Sequence, residues 1–240
     1  MSKKRYADLH VRVSCEGDTP ELLIKMAKHL GFNLIALSIE SPNGLKDLEH
    51  FRKLGKSLGL DVATRLDLKT SDPDELKYYL RKFRRKVEIT AVYCNSITIA
   101  RVAARDRRVD VTFYNPKNLP SVLDEGQISL LAESGHHVEV NLLDMLYEPP
   151  DKQVEILRNY KYTLGGIRKK NIPIVFSSGA SRIIDMRAPR ELSSIAFMIL
   201  NDENLARDAV STVPLSLINT NREKLSSNYV QPGIRVVNEW

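Results

Sequence analysis

The chain has 240 residues, 42% of them hydrophobic and 28% charged, with a net charge of +6. That composition suits a soluble globular protein with a sizeable core and excludes a disordered or fibrous chain. Two cysteines, Cys15 and Cys94, exclude a disulfide framework and predict reduced thiols in a cytoplasmic protein, and no apolar run approaches the roughly 18 residues of a membrane helix.

Strand-like and helix-like segments alternate from the start. Residues 7–13 form an apolar run ending in Asp8-Leu9-His10-Val11-Arg12, and after a loop Thr19-Pro20 opens a helix carrying Leu22, Leu23, Met26, Ala27 and Leu30. A second strand is predicted at 34–38 and a helix at 45–58, closed by Gly59. Strands at 61–68 and 89–94 flank a helix that Asp72-Pro73 opens and a basic cluster ends. Ser96 caps the next helix, with Ile97, Ala100 and Ala104 on one face, and a short strand follows at 109–113. Asp124 and Gln127 have the spacing of a capping box before a helix that Gly135 ends.

The sixth strand is predicted at 137–142. The longest helix follows Pro149-Pro150, with Val154, Leu157, Tyr160, Leu164 and Ile167 inward and Gly165-Gly166 as a point of close packing. A seventh strand at 172–177 and a helix from Ala188-Pro189 come next. Beyond a short helix at 203–210 the pattern predicts an irregular run through Asn219-Thr220-Asn221 and a tail, 226–240, without helical period. The expected architecture is α/β: a TIM-barrel-like single domain over 1–225, incomplete or distorted, with about seven parallel strands.

In such a barrel, functional groups gather where strands end. Those positions hold His10 and Arg12, Ser38 and Glu40, Arg65, Asp67 and Lys69, then Asn95, Tyr114-Asn115, Asn141 and Ser177-Ser178-Gly179. Two histidines at the spacing of His10 and Arg12 would share a strand face and a metal. A guanidinium has no lone pair to offer, but its fork is a good phosphate ligand. Asp8, His10, Glu40 and Asp67 are a thin metal set, and the chain has no G-x-S-x-G, Walker or G-x-G-x-x-G motif. Any one of the basic clusters at 81–86, 105–108 and 168–170 reads as a solvated helix end at least as readily as a nucleic-acid contact, but their recurrence at comparable places in the repeat points to a nucleic-acid partner. The candidate RNA contacts are Arg84, Arg85, Arg107, Arg108, Lys117, Arg182, Arg187 and Arg190, with Arg12 and Arg65 less exposed to that role because either can pair with Asp67 or Glu40. No catalytic residue and no metal ligand is assigned.

Several motifs recur together in one family: Asp8-Leu9-His10-Val11-Arg12, Glu139-Val140-Asn141-Leu142, Arg158-Asn159-Tyr160-Lys161, Asn171-Ile172-Pro173-Ile174-Val175, Ser177-Ser178-Gly179-Ala180 and Arg187-Ala188-Pro189-Arg190-Glu191-Leu192. In their order and spacing the chain resembles the family of archaeal ribonuclease P protein component 3, relatives of the thirty-kilodalton subunit of the eukaryotic enzyme. The resemblance implies a barrel fold and a supporting role in removing 5′ leaders from precursor tRNA. It places the chemistry in an RNA subunit with its own Mg²⁺ and no cofactor on this chain. The implied partners are that catalytic RNA, a small α/β-sandwich subunit, other ribonuclease P proteins and, indirectly, precursor tRNA, with no membrane. Related metal-dependent phosphoesterases carry Asp-x-His-x-His and a late Asp-x-His, where this chain has Arg12 and, in Asp185-Met186-Arg187, Arg187. The competing expectations are a free-standing metal phosphoesterase and a protein–protein adaptor with solvated basic patches.

Overall fold

The computed structural model describes residues 4–40, 42–231 and 234–235. Seven strands, β1 (Ala7–Arg12), β2 (Leu34–Ile39), β3 (Asp61–Leu68), β4 (Ile89–Cys94), β5 (Val111–Tyr114), β6 (His137–Asn141) and β7 (Ile174–Ser177), pair in parallel in chain order. The connecting segments hold α1 (Pro20–Leu30), α2 (Leu48–Leu58), α3 (Pro73–Phe83), α4 (Ile97–Arg105), α5 (Leu119–Val122), α6 (Glu125–Ser134), α7 (Leu143–Leu146) and α8 (Pro150–Lys169). Three more, α9 (Pro189–Leu200), α10 (Glu203–Asp208) and α11 (Thr212–Leu225), follow the last barrel strand.

Caps act where the sequence predicts them. Thr19, Ser96 and Asp124 accept from Leu22, Ile99 and Gln127 backbone N–H groups, and Gly31, Gly59 and Gly135 end their helices in the left-handed conformation. The segment 42–47 is a 3-10 turn, so α2 begins three residues later than expected. Leu22, Ile97 and Val154 were expected inward but are exposed. Ile24, Ile99 and Ile156, each two positions further along the helix, are buried instead.

Among the described residues no eighth strand joins the barrel sheet, and two other devices close the β1–β7 seam. At the carboxyl end Arg12 N–H donates to Ala180 O at 2.8 Å. At the amino end Ala7 N–H donates to Val210 O and Phe176 N–H to Ala209 O, both at 3.0 Å. Residues 209–210 therefore satisfy both edges where a strand is missing. The helix α11 then stops the barrel's amino end. Its Leu217 and Ile218 pack with Ala7, Leu9, Leu34, Ala36, Ile89 and Val111 in the interior.

That helix corrects the expected irregular run at Asn219-Thr220-Asn221. These residues are poor helix formers, but tertiary contacts override propensity. Buried Asn221 donates to Glu88 O at 2.8 Å, and Arg222 holds both Asp61 oxygens at 2.7 Å. Of the tail, Tyr229–Gln231 and Ile234–Arg235 pair antiparallel; 232–233 and 236–240 lie outside the described residues.

One irregularity positions the candidate site. Between Asp8 and Val11 the pairing with β2 shifts, so β1 holds one extra residue. Ala7 and Leu9 face the interior before the bulge, yet Val11 packs outward among the helices. His10 turns inward, its ring 5.4 Å from that of interior Phe113.

Candidate functional site

The upper half of the barrel interior is ionic. Alternation along β3 sends Ala63, Arg65 and Asp67 inward, and along β6 it sends Glu139 and Asn141 inward. Arg65 is 0% exposed and lies at the centre. Its Nη1 and Nη2 donate to Glu139 Oε1 and Oε2 at 2.7 and 2.6 Å. Its Nε donates to Asp67 Oδ1 at 2.6 Å, and Nη1 also donates to Leu9 O at 2.8 Å. Ser177 Oγ donates to Glu139 Oε1 at 2.8 Å.

His10 joins the same network. Its Nε2 is 2.9 Å from Asp67 Oδ2, and its Nδ1 is 2.9 Å from Asn141 Oδ1 and 3.2 Å from Glu139 Oε2. Acceptors at both nitrogens suit an imidazolium. Burial and the Arg65 charge oppose that state, but Asp67 and Glu139 outweigh them and hold the His10 pKa above its ordinary value. Arg12 Nε also approaches His10 Nε2, at 3.3 Å, which would favour a neutral ring; the nearer carboxylate decides against it. Burial alone would raise Asp67 and Glu139, yet Arg65 and His10 lower both, Glu139 to about 2. The buried Arg65 guanidinium thus faces two buried carboxylates, with the His10 ring between them.

Asp8 stands beside this group at the seam. Its Oδ1 accepts from His10 N–H at 3.1 Å and Ser178 N–H at 3.2 Å, while Oδ2 has no hydrogen-bond partner. Burial raises its pKa against the lowering effect of the hydrogen bonds from Ser178 and His10. Glu40, expected in the same set, is exposed and paired with Lys69. Glu139 and Asp144 were not among the candidate ligands. Glu139 lies in mid-strand, and Asp144 lies in α7, facing Arg12 Nη2 at 3.6 Å. A metal ion does not fit this arrangement, because the guanidinium occupies the point on which the donors converge. Among the described residues no group of three or more His, Cys, Asp or Glu is arranged to hold one.

Above the ionic layer the mouth opens into a cavity of about 400 Å³ lined by Arg12, Lys69, Tyr93, Lys117, Asp144 and Tyr147. Gly179 is needed at its edge: φ is +68°, and a Cβ would come within 3.1 Å of Asn141 Cβ. The cations here are matched, Arg12 by Asp144, Lys69 by Glu40 and Lys117 by Glu148. Arg182 pairs with buried Asp185 and lies over the Tyr147 ring, and Arg187 donates to Ile184 O and Met186 O.

The three basic clusters lie at the other end, where α3, α4 and α8 finish and β4, β5 and β7 begin. The ten candidate contacts are thus divided between two opposite faces. Arg65 must be withdrawn from them, since it is fully enclosed by its own partners. Arg84 is mostly buried against Asp110 and Asn221, and Arg108 is clasped by Asp106. Arg85, Arg107 and Arg190 are exposed with no ion pair among the described residues. Sequence reading missed Lys224 of α11, which lines a cavity of about 310 Å³ with Arg107 and His136.

Comparison with known proteins bears on what such a barrel does. The model of the family described as RNase P subunit p30 matches residues 5–226. The chain belongs to the RNase P subunit p30 family. Among relatives, ribonuclease P protein component 3 of Methanosarcina mazei is 28% identical, over 99% of this chain and 98% of its own length. That of Methanothermobacter thermautotrophicus is 24% identical over 98% of this chain and 96% of its own. A chain in the cryo-EM structure of archaeal ribonuclease P with mature tRNA superposes with a TM-score of 0.84, at 18% identity, over 96% of this chain and 98% of that one.

The p30-family barrel also resembles a zinc-containing histidinol phosphate phosphatase from Lactococcus lactis, with a TM-score of 0.54 at 10% identity over 90% of this chain and 94% of that one. That likeness concerns the fold alone. Among the described residues, no helix is long and apolar enough to cross a membrane.

Proposed function

We propose that this chain supports the RNA of a ribonuclease P holoenzyme in removing 5′ leaders from precursor tRNA. The observation that carries the reading is the family match across residues 5–226. Phosphodiester cleavage then belongs to the RNA and its Mg²⁺, and the protein contributes binding and orientation. A small α/β-sandwich subunit, other ribonuclease P proteins and indirectly bound precursor tRNA complete the expected cytoplasmic assembly. A free-standing phosphoesterase is disfavoured because a fixed guanidinium occupies the place a metal would need.

The RNA-facing surface in this reading is the strand-amino end, around Arg85, Arg107, Lys169, Lys170 and Lys224. The physical reason is supply. Cations already matched by carboxylates, as at the mouth, release few counterions, whereas unmatched ones gain fully from phosphates. Arg84, Arg108 and Arg12 brace the frame. Lys117 and Arg182, matched by Glu148 and Asp185, form a lesser set at the mouth with Arg187, and unmatched Arg190 lines a separate cavity with Tyr6 and Arg207. Filter binding of the cognate RNA at several salt concentrations tests the choice of face. Arg85→Glu with Arg107→Glu is expected to weaken binding and flatten its salt dependence more than Lys117→Glu with Arg182→Glu. The reverse order would move the RNA to the mouth.

A further inference from the structure

We propose that the cavity between α11 and the turns after α4 and α6 is a phosphate-binding site, built by Arg107, His136, Ser216, Thr220 and Lys224. Three separate stretches of chain meet there around a volume of about 310 Å³. Ser216, Thr220 and Lys224 recur at every fourth position of α11, so they share one helix face, and all three line the cavity. Arg107 comes from the turn after α4 and His136 from the turn after α6. The decisive member is His136. It is only 4% exposed, yet neither ring nitrogen finds a hydrogen-bond partner. Enclosed polar groups are nearly always paired, and a bare one beside a cavity points to an occupant.

The sign of the local charge decides which occupant. Two carboxylates lie nearby, and both are engaged. Asp110 accepts from Arg84 Nη2 at 3.0 Å and from Thr90 N–H at 2.8 Å, and Asp106 is clasped by Arg108. The Arg107 guanidinium and the Lys224 ammonium remain, and among the described residues neither forms an ion pair. Burial keeps the His136 ring neutral against the pull of Asp106, and the Lys224 charge acts in the same direction as burial. A neutral ring still donates one N–H. An anion between ring and ammonium satisfies both. Phosphate matches the whole array, because its oxygens accept from guanidinium, ammonium, imidazole and hydroxyl groups together. That the phosphate belongs to RNA rests on the reading of this end as the RNA face; the cavity's affinity for phosphate does not.

The test follows the histidine ring signals of the full-length protein by NMR. Inorganic phosphate and dimethyl phosphate are titrated in, against chloride at equal ionic strength. Both phosphates are expected to shift the His136 signals saturably while those of His29 and His50 stay still. Lys224→Gln, a change at an exposed position, is expected to weaken the response about tenfold, the loss of one charge-assisted hydrogen bond. Lys117→Gln at the mouth is expected to leave it unchanged. No saturable shift with either phosphate, an equal shift with chloride, or a response that survives Lys224→Gln in full would overturn the site. Adding the cognate RNA then distinguishes the sources. If a backbone phosphate fills the cavity, bound RNA suppresses the response to free phosphate. If the response persists in the RNA complex, the site stands as one for a free phosphate, and the RNA-facing surface is the reading that fails.

Discussion

Arg65 and Glu139 form a two-pronged ion pair at the centre of the barrel, 2.7 and 2.6 Å long, with neither side chain exposed to solvent. They lie on strands that are not neighbours, so the pair ties β3 to β6 across the interior. A buried pair of this kind is worth little over a well-packed apolar pair, but either half alone is costly. Glu139→Ala is therefore expected to lower stability by about 3–5 kcal/mol in urea denaturation. Arg65→Met with Glu139→Leu is expected to lose clearly less than the single change. Equal losses would mean that packing, and not the stranded charge, sets the cost.

How much of this site was legible beforehand depends on which physical cue a residue gives. Seven strands followed from alternation and punctuation, and His10, Asp8 and Asp67 from their places near strand ends. For Arg65 the alternative of internal pairing with Asp67 holds, but its place among the RNA contacts does not, because arginine is ordinarily a surface residue and gives no local sign of burial. Only the partners that β6 supplies reveal its burial, and those lie 74 residues away. The bulge in β1 gives no composition signal either, since it inserts an ordinary residue into an ordinary strand.

The α11 stopper gives a direct stability test. Ile218 is 0% exposed in the interior cluster, so Ile218→Ala is expected to cost about 2–4 kcal/mol. An irregular, loosely attached segment would lose only a few tenths, and chemical denaturation distinguishes the two.

Gly165 and Gly166 share a helix but have different surroundings. A Cβ on Gly166 would come within 2.9 Å of Ile128 Cδ1, whereas one on Gly165 meets nothing within 4 Å. Gly165→Ala is expected to stabilise the protein by about 0.5–1 kcal/mol through helix propensity alone. Gly166→Ala is expected to gain less or to lose, as Ile128 must shift. Paired thermal melts measure the difference.

Acid sensitivity has an identifiable source. Burial holds His136 and His137 down to about 4, and neither ring nitrogen of His136 has a hydrogen-bond partner. The unfolded chain protonates these rings near pH 6.5, above the folded values, so it binds more protons between pH 6.5 and 4. Stability accordingly falls as pH drops through that window, by at most about 1.4 kcal/mol per unit for each ring. His136→Phe is expected to flatten this slope in urea titrations from pH 7 to 4.5. An unchanged slope would assign the acid response to other groups.

The closing contacts of the seam also bear on the order of assembly. Ala7 and Phe176 find their partners in Val210 and Ala209, so the amino end of the β1 edge stays open until the stretch between α10 and α11 has been made. The growing chain must therefore carry a half-sealed sheet well after its seventh strand exists, with only the Arg12–Ala180 contact holding the other end of the seam.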